Sequence, residues 1–173
     1  MTAPAIASGQ AWCTFQLAGG DYGVELARVQ EVLRAQPVTR LPHAPAAIAG
    51  LMNLRGRIVP VVDTRRVLGI DGARAGDVAR RSGLVIVRSA DGPVALLVDA
   101  IGDVRRAEDA APSLPAAESP LVARTLALPG QLLVVLDLDR VLERAFAAPE
   151  VTPPSVTPTT TVTSPTRADG SRS

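Results

Sequence analysis

Lysine is absent from this 173-residue chain, and all 18 of its basic residues are arginines. The chain therefore cannot supply the lysine of a phosphate-binding P-loop, the lysine of a kinase ATP site or a Schiff-base nucleophile. Its one histidine, His43, lies between two prolines in LPHAP, where a solvated loop position is expected. A histidine-rich metal site is excluded, and a Ser/His/Asp triad would have to use this single residue. No metal and no cofactor are expected.

Cysteine and aromatic residues are also scarce. Cys13 is the only cysteine, which excludes an intrachain disulfide. With only four aromatic residues, the core must consist of Val, Leu, Ile and Ala, whose β-branched members favour strands. The net charge of +1 provides no concentrated basic face for nucleic acid, and single-strand binding also needs aromatic platforms. Nucleic acid is therefore not an expected partner.

Long apolar runs are lacking too. The first twelve residues contain neither lysine nor arginine, which is not typical of a signal peptide. The longest lipid-like stretch, APAAIAGLMNL at residues 44–54, is too short to cross a bilayer. A cytoplasmic protein without direct membrane insertion is expected.

The composition changes near Pro149. Pro, Thr and Ser supply 16 of the 25 residues in 149–173, a composition that cannot bury enough apolar surface to offset the entropy of ordering. This segment is predicted to be a disordered tail. Residues 1–10 are predicted to be a flexible N-terminus, which leaves a folded domain at 11–148.

A weak internal repeat divides the folded part. PVVDTRRVL at 60–68 matches VVLDLDRVL, which begins 74 residues later and aligns Asp137 with Asp63. YGVELARVQEV at 22–32 matches VALLVDAIGDV, which begins 72 residues later and aligns Ile101 with Val29. Two matches in the same order and at similar offsets indicate two similar halves. Their bounds are roughly 11–82 and 83–148, and an exchange of strands at the boundary is left open.

Each half is predicted to start with two strands joined by a glycine-containing turn. A short amphipathic element and a Pro-containing loop follow, and then a buried strand, at residues 58–62 or 132–136. Each half ends in a short helix capped by Asp63 or Asp137. Many short strands with Gly and Pro turns favour small barrels. Pro60 predicts an edge strand or a bulge, because proline cannot donate to a sheet.

The same two aspartates raise a catalytic alternative. Asp63-Thr64 after an apolar strand is similar to the Asp-Thr-Gly of aspartic proteases, with Asp137 as the partner carboxylate. Arg65 and Leu138 stand where such a site requires glycine or a hydroxyl residue. The capping role explains both aspartates, so no catalytic residue is predicted. A small hydrolase using Asp63 and Asp137 remains the alternative from a different class.

Arginines flank the apolar strand in NLRGRIVPVVDTR, residues 53–65. Arg55 beside apolar positions fits a protein interface, where a planar guanidinium can be desolvated and paired. An ordinary surface arginine is the other interpretation, and composition alone favours it.

Five blocks in fixed order carry a family resemblance. FQLAGGDYGVEL, ARVQEVL, VTRLPHAPAAIAGLMNLRGRIVPVVDTRRVLGI, LLVDAIGDV and LLVVLDLDRVL together resemble the CheW family of bacterial chemotaxis coupling proteins. The resemblance covers about residues 11–146. It implies two packed five-stranded SH3-like barrels with short helices and no catalytic activity.

The resemblance also implies partners and a site. CheW proteins couple chemoreceptor cytoplasmic tips to the regulatory domain of the histidine kinase CheA, in membrane-associated arrays, and further CheW copies in rings are additional expected partners. The receptor-binding positions implied for this chain are Leu26, Val29, Glu31, Arg55, Leu84 and Ile101. Since the repeat makes Val29 and Ile101 equivalent, a groove lined by both is expected to receive an apolar helical-hairpin tip.

Two points are left open by the resemblance. The adaptor could instead serve a chemotaxis-like pathway controlling pili or development. Ala47 stands where relatives often have an aromatic residue, which predicts different local packing or partner preference.

Overall fold

The computed structural model describes residues 9–70, 83–109 and 119–147. The predicted disordered tail, 149–173, lies outside the described residues, as does most of the predicted flexible N-terminus. The described elements, in chain order, are β1 (Ala11–Leu17), β2 (Gly20–Glu25), β3 (Val29–Arg34), β4 (Ile48–Leu54), β5 (Arg57–Asp63), α1 (Thr64–Leu68), β6 (Gly83–Ser89), β7 (Gly92–Val98), β8 (Ala100–Arg106), β9 (Val122–Leu128), β10 (Gln131–Leu136) and α2 (Leu138–Phe146).

The strands form two five-stranded sheets. The first sheet has the order β8-β1-β2-β10-β9, and the second has the order β3-β6-β7-β5-β4. Each sheet therefore combines a hairpin from one half of the chain with three strands from the other half. The chain passes from the first sheet to the second between β2 and β3. The predicted mainly β fold, with two five-stranded units and short helices, is confirmed.

Strand register confirms the internal repeat. Val61 pairs with Ala95 in parallel β5 and β7, and the equivalent pair in β10 and β2 is Val135 with Gly23. On the antiparallel side, the pair of Leu51 with Pro60 corresponds to the pair of Thr125 with Val134. The two halves thus place equivalent residues opposite equivalent partners.

The core has three parts because the central strands are covered on both faces. In β6, Leu84 and Ile86 point into the core of the second sheet, while Val85 and Val87 join the cluster between the sheets. Trp12 belongs to the separate core of the first sheet. Strands covered on both faces have continuous rather than alternating apolar sequences. Burying each large side chain contributes about 1.5–3 kcal/mol to folding.

Two predictions about the strand 58–62 are wrong. Ile58 was predicted to be buried, yet 64% of it is exposed. Pro60 was predicted to mark an edge strand or a bulge, but β5 lies between β7 and β4 and the register around Pro60 is regular. Pairing with β7 begins only at Val61, so the proline precedes the stretch that β7 joins.

The segments between the hairpins and the buried strands also differ from the prediction. The short amphipathic elements are the strands β3 and β8, and the Pro-containing loops lead into two further strands, β4 and β9. Antiparallel pairing explains this result, because β3 is hydrogen-bonded to β6 and β8 is hydrogen-bonded to β1.

The predicted helix caps are confirmed. The carboxylate of Asp63 accepts a hydrogen bond from the backbone N–H of Arg66 at 3.3 Å, and Asp137 accepts one from Arg140 at 3.2 Å. Gly69 ends α1 in the left-handed conformation, with φ of 67°. Both aspartates thus satisfy N–H groups that the first helical turn leaves unpaired.

Candidate docking surface

The passage from the first sheet to the second carries the first predicted site residues. β2 ends at Glu25, and Leu26–Arg28 form a single 3-10 turn before β3. Leu26 is 37% exposed on this turn, whereas Val29 is half-buried against the cluster between the sheets. The turn therefore presents an apolar side chain to solvent at the junction of the two sheets.

Arg28 holds this turn in place. Its guanidinium donates two hydrogen bonds to the carboxylate of Asp139 on α2, at 2.7 and 3.2 Å, and others to the carbonyl of Arg88. Sequence reasoning missed this residue. The sequence signal that could have found it is a difference between the halves: the position equivalent to Arg28 is Ala100, so the arginine is specific to the first half.

The pairing shifts both titratable groups. The hydrogen bond from Arg28 lowers the pKa of Asp139 below the ordinary carboxyl value, and the reciprocal bond raises the pKa of Arg28. Hydrogen bonding to the charged form of each partner is the cause. The pair is therefore ionised throughout the neutral range.

Arg55 lies at the tip of the hairpin between β4 and β5. Arg55 and Gly56 both have positive φ, 53° and 85°, as in the two-residue turns that match the twist of paired strands. The backbone N–H of Gly56 donates to Oδ1 of Asn53 at 2.7 Å, which fixes the turn. The arginine side chain, 77% exposed, is thereby held at the surface.

Glu31 and Arg55 form an ion pair, with Oε2 and Nη2 2.7 Å apart. Glu31 lies on β3 and Arg55 follows β4, and these are the two edge strands of the second sheet. Thr39, in the segment between β3 and β4, also exchanges two backbone hydrogen bonds of 2.8 Å with Leu51 on β4. The sheet therefore curls until its edges approach, which brings together two site residues that are 24 positions apart.

The Glu31–Arg55 pair belongs to one half of the chain only. The repeat places Asp103 at the position equivalent to Glu31 and Pro129 at the position equivalent to Arg55. Proline cannot form an ion pair, so the second half lacks this feature. The two halves share a scaffold but differ at this surface.

Leu84 and Ile101 lie elsewhere. Leu84 is fully buried, opposite Leu33 and Leu97 in the second sheet, so it has no surface to offer a partner in this conformation. Ile101 is 40% exposed on β8 and lies against Gly83, where an added Cβ would approach its Cγ1 to 2.7 Å.

The structure does not bring Ile101 beside Val29. Val29 pairs with Val87, at one end of β6, while Ile101 packs on Gly83, at the other end. Four residues of strand, about 13 Å, separate these two places. The two residues are thus not adjacent, and a groove lined by both stays a prediction. Of the predicted site residues, the structure brings Glu31 and Arg55 into contact. Leu26, Val29, Glu31 and Arg55 are together called the docking surface below.

The described part of the chain shows no arrangement of side chains for catalysis or for metal binding. Asp63 and Asp137 are each committed to their own helix cap. Within residues 9–70, 83–109 and 119–147, no three His, Cys, Asp or Glu side chains are grouped as metal ligands. An apolar surface with a fixed ion pair, on a rigid β scaffold, is typical of a protein-interaction module.

The chain belongs to the CheW family: the family model described as the CheW-like domain matches residues 11–146. CheW proteins are scaffold proteins without catalytic activity, so the prediction that this chain is not an enzyme is confirmed. Its function is that of a chemotaxis scaffold or adaptor, which acts through protein–protein interaction.

Individual relatives agree with this assignment. The chain is 30% identical to the chemotaxis protein CheW of Rhizobium meliloti over 138 residues, 77% of this chain and 87% of that protein. It is 29% identical to CheW of Klebsiella aerogenes over 140 residues, 78% of this chain and 82% of that protein. The crystal structure of the scaffolding protein TtCheW from Thermoanaerobacter tengcongensis superposes with a TM-score of 0.65 at 26% identity, covering 78% of this chain and 92% of that one.

A shorter match points to a differently named relative. Protein FrzA of Myxococcus xanthus is 39% identical over 67 residues, which is 39% of this chain and 42% of that protein. Among the helices that the structure describes, none has the length and hydropathy needed to span a membrane.

Proposed function

We propose that this chain couples the cytoplasmic tips of methyl-accepting chemoreceptors to the regulatory domain of the histidine kinase CheA. Residues 11–148 act as the adaptor domain. The protein works in the cytoplasm, is recruited to membrane receptor arrays, and meets further CheW copies in their rings. Its family membership and the scaffold role of its relatives support this proposal.

The docking surface is the proposed receptor site. Leu26 and Val29 offer the apolar contact, and the ion pair of Glu31 with Arg55 offers the charged one. Ile101 contributes from the far end of β6 only to a partner long enough to reach it. Leu84 acts from beneath, by supporting β3 through its pairing with Leu33.

The Glu31–Arg55 pair is the observation that carries the proposal. An ion pair with one largely exposed partner stabilises a fold by only about 0–1 kcal/mol, so folding alone gives little reason for it. Arginine is nevertheless favoured at interfaces, because its guanidinium can be desolvated while it remains paired. The pair is also confined to one half of a repeat whose backbone is otherwise duplicated.

Binding measurements with a receptor tip fragment and CheA test the proposal. Arg55→Ala and Glu31→Ala are expected to weaken receptor binding about tenfold, a loss of about 1.4 kcal/mol, and to leave CheA binding unchanged. Arg144→Ala, which removes an exposed arginine from α2, is the matched control and should bind like the parent protein. Equal receptor binding by all three variants would contradict the site assignment. If the chain formed a complex with neither partner, the proposed coupling would be wrong.

A second candidate function is an adaptor in a chemotaxis-like pathway controlling pili or development. The local match to protein FrzA, 39% identical over 67 residues, is the observation that favours it. Both candidates use the same docking surface. Purifying the chain from its own cells and identifying the receptor and kinase that accompany it separates them.

A further inference from the structure

A second surface feature lies away from the docking surface. Helix α2, the turn between β6 and β7, and the middle of β5 line a groove of about 610 Å³. Its lining includes Pro60, Pro93, Asp139, Leu142, Glu143 and Phe146, and this feature is called the α2 groove below. None of the six predicted receptor-binding residues lines it.

The chemistry of the α2 groove suits an extended, proline-containing segment. Phe146 is 46% exposed and lines the groove together with Pro60 and Pro93. Proline-rich segments bind grooves of this kind because their extended backbone is already ordered and their rings pack on aromatic and apolar side chains.

The charged residues that line the α2 groove also limit which segment can bind there. Asp91, Asp139 and Glu143 all belong to the lining, and no Arg or Lys does. Arg28 neutralises Asp139, which leaves the carboxylates of Asp91 and Glu143 at the rim. A fitting segment therefore lacks carboxylates and carries positive charge.

The chain itself supplies such a segment next to the groove. Residues 151–167, VTPPSVTPTTTVTSPTR, contain four prolines, no Asp or Glu, and Arg167. They begin five residues after Phe146, and an extended chain covers about 3.1 Å per residue. A short tether of this kind gives the segment an effective concentration on the order of millimolar at the groove.

We propose that residues 151–167 occupy the α2 groove of their own chain, with prolines against Phe146 and Arg167 toward the acidic rim. This occupancy covers the apolar end of α2. It is independent of the proposed receptor coupling, since the two surfaces share no residue.

A spin label on the segment tests the proposal in the full chain. Ser155→Cys introduces an accessible thiol, while native Cys13 is buried and its burial raises the pKa of the thiol, so the label goes to the new position. With the nitroxide oxidised, the NMR signals of the Asp91, Gly92 and Glu143 amides should lose intensity, and reduction should restore it. No selective loss at these amides would overturn the proposal.

Two variants and one mixture complete the test. Phe146→Ala should abolish the loss, whereas Leu132→Ala, which removes a similarly exposed apolar side chain from β10, should preserve it. A well-dispersed spectrum of each variant shows that the fold is intact. A loss that persists in Phe146→Ala would contradict the assigned site. A loss seen only when spin-labelled copies are mixed with isotope-labelled ones would assign the groove to a second copy and overturn the proposal.

Discussion

The guanidinium of Arg28 and the carboxylate of Asp139 are joined by two hydrogen bonds, of 2.7 and 3.2 Å, although 111 residues separate them in sequence. Arg28 closes the 3-10 turn that carries Leu26, and Asp139 lies in the first turn of α2. The pair therefore fixes the apolar part of the docking surface to α2.

Replacing Arg28 should weaken receptor binding more than it lowers the stability of the fold. Arg28→Ala is expected to weaken receptor binding about tenfold, because the turn holding Leu26 loses its anchor, while unfolding free energy falls by only about 1 kcal/mol. Calorimetric binding and urea denaturation measure the two effects. Arg28→Lys keeps the charge without the planar fork and should bind between the parent and the alanine variant. A binding loss that merely follows lost stability would contradict the anchoring role.

The same pair makes a pH prediction. Because the folded-state pKa of Asp139 lies below its unfolded value, its contribution to stability is complete above the unfolded pKa and is lost as pH falls through the folded pKa. Most of the Asp139 side chain is exposed, so the effect on stability is small. NMR titration of its carboxyl carbon should show the lowered pKa in the parent protein and a return toward the ordinary value in Arg28→Ala. An unchanged titration would rule out the hydrogen bond as the cause.

Removing the two helix caps is expected to lower the unfolding free energy by different amounts. Asp137→Ala should lower the unfolding free energy by about 1 kcal/mol, because one cap bond is lost. Asp63→Ala should cost up to about 2 kcal/mol, since Asp63 is almost fully buried whereas Asp137 is partly exposed; each also lies near an arginine, at 3.5 and 3.4 Å. Serine at either position should recover part of the loss, as its hydroxyl can accept the same bond. Equal stability of the alanine variants and the parent, measured by urea denaturation, would contradict the capping role.

Part of this architecture could be predicted from sequence because local chemistry determines it. Asp63 and Asp137 each precede a short apolar helix, so their capping role follows from residue type and position. The repeat was visible because both halves keep the same apolar positions on strands covered from both sides. The strand β4 was not predicted, since a glycine interrupts its apolar sequence, although its partner β5 follows it directly.

Other features depend on long-range pairing. Val29, Val32 and Leu33 are spaced i, i+3 and i+4, which also fits an amphipathic helix, and only the available edge of β6 selects the strand. The Glu31–Arg55 contact needs a sheet curled until its edges meet, and the Arg28–Asp139 contact needs α2 to pack near the sheet junction. Residue identity indicates that such side chains can pair, but not which partners the fold provides.

The glycine in β4 gives a stability prediction. A Cβ at Gly50 would lie 2.2 Å from the carbonyl oxygen of Thr39, and its φ of 153° disfavours side chains. Gly50→Ala should therefore break the Thr39–Leu51 bonds and lower the unfolding free energy by more than about 2 kcal/mol. Gly20→Ala is the control, because its nearest neighbour is the movable ring of Tyr22 at 3.0 Å. Similar denaturation midpoints for the two variants would contradict this role of Gly50.

The most direct test of the account is CheA autophosphorylation measured with receptor-containing membranes, with the parent chain and with Arg55→Ala. The account predicts that receptors control the kinase only when the parent chain is present, and that Arg55→Ala still binds CheA but transmits little or no receptor control. Receptor control of equal strength with Arg55→Ala, or without any adaptor, would contradict it.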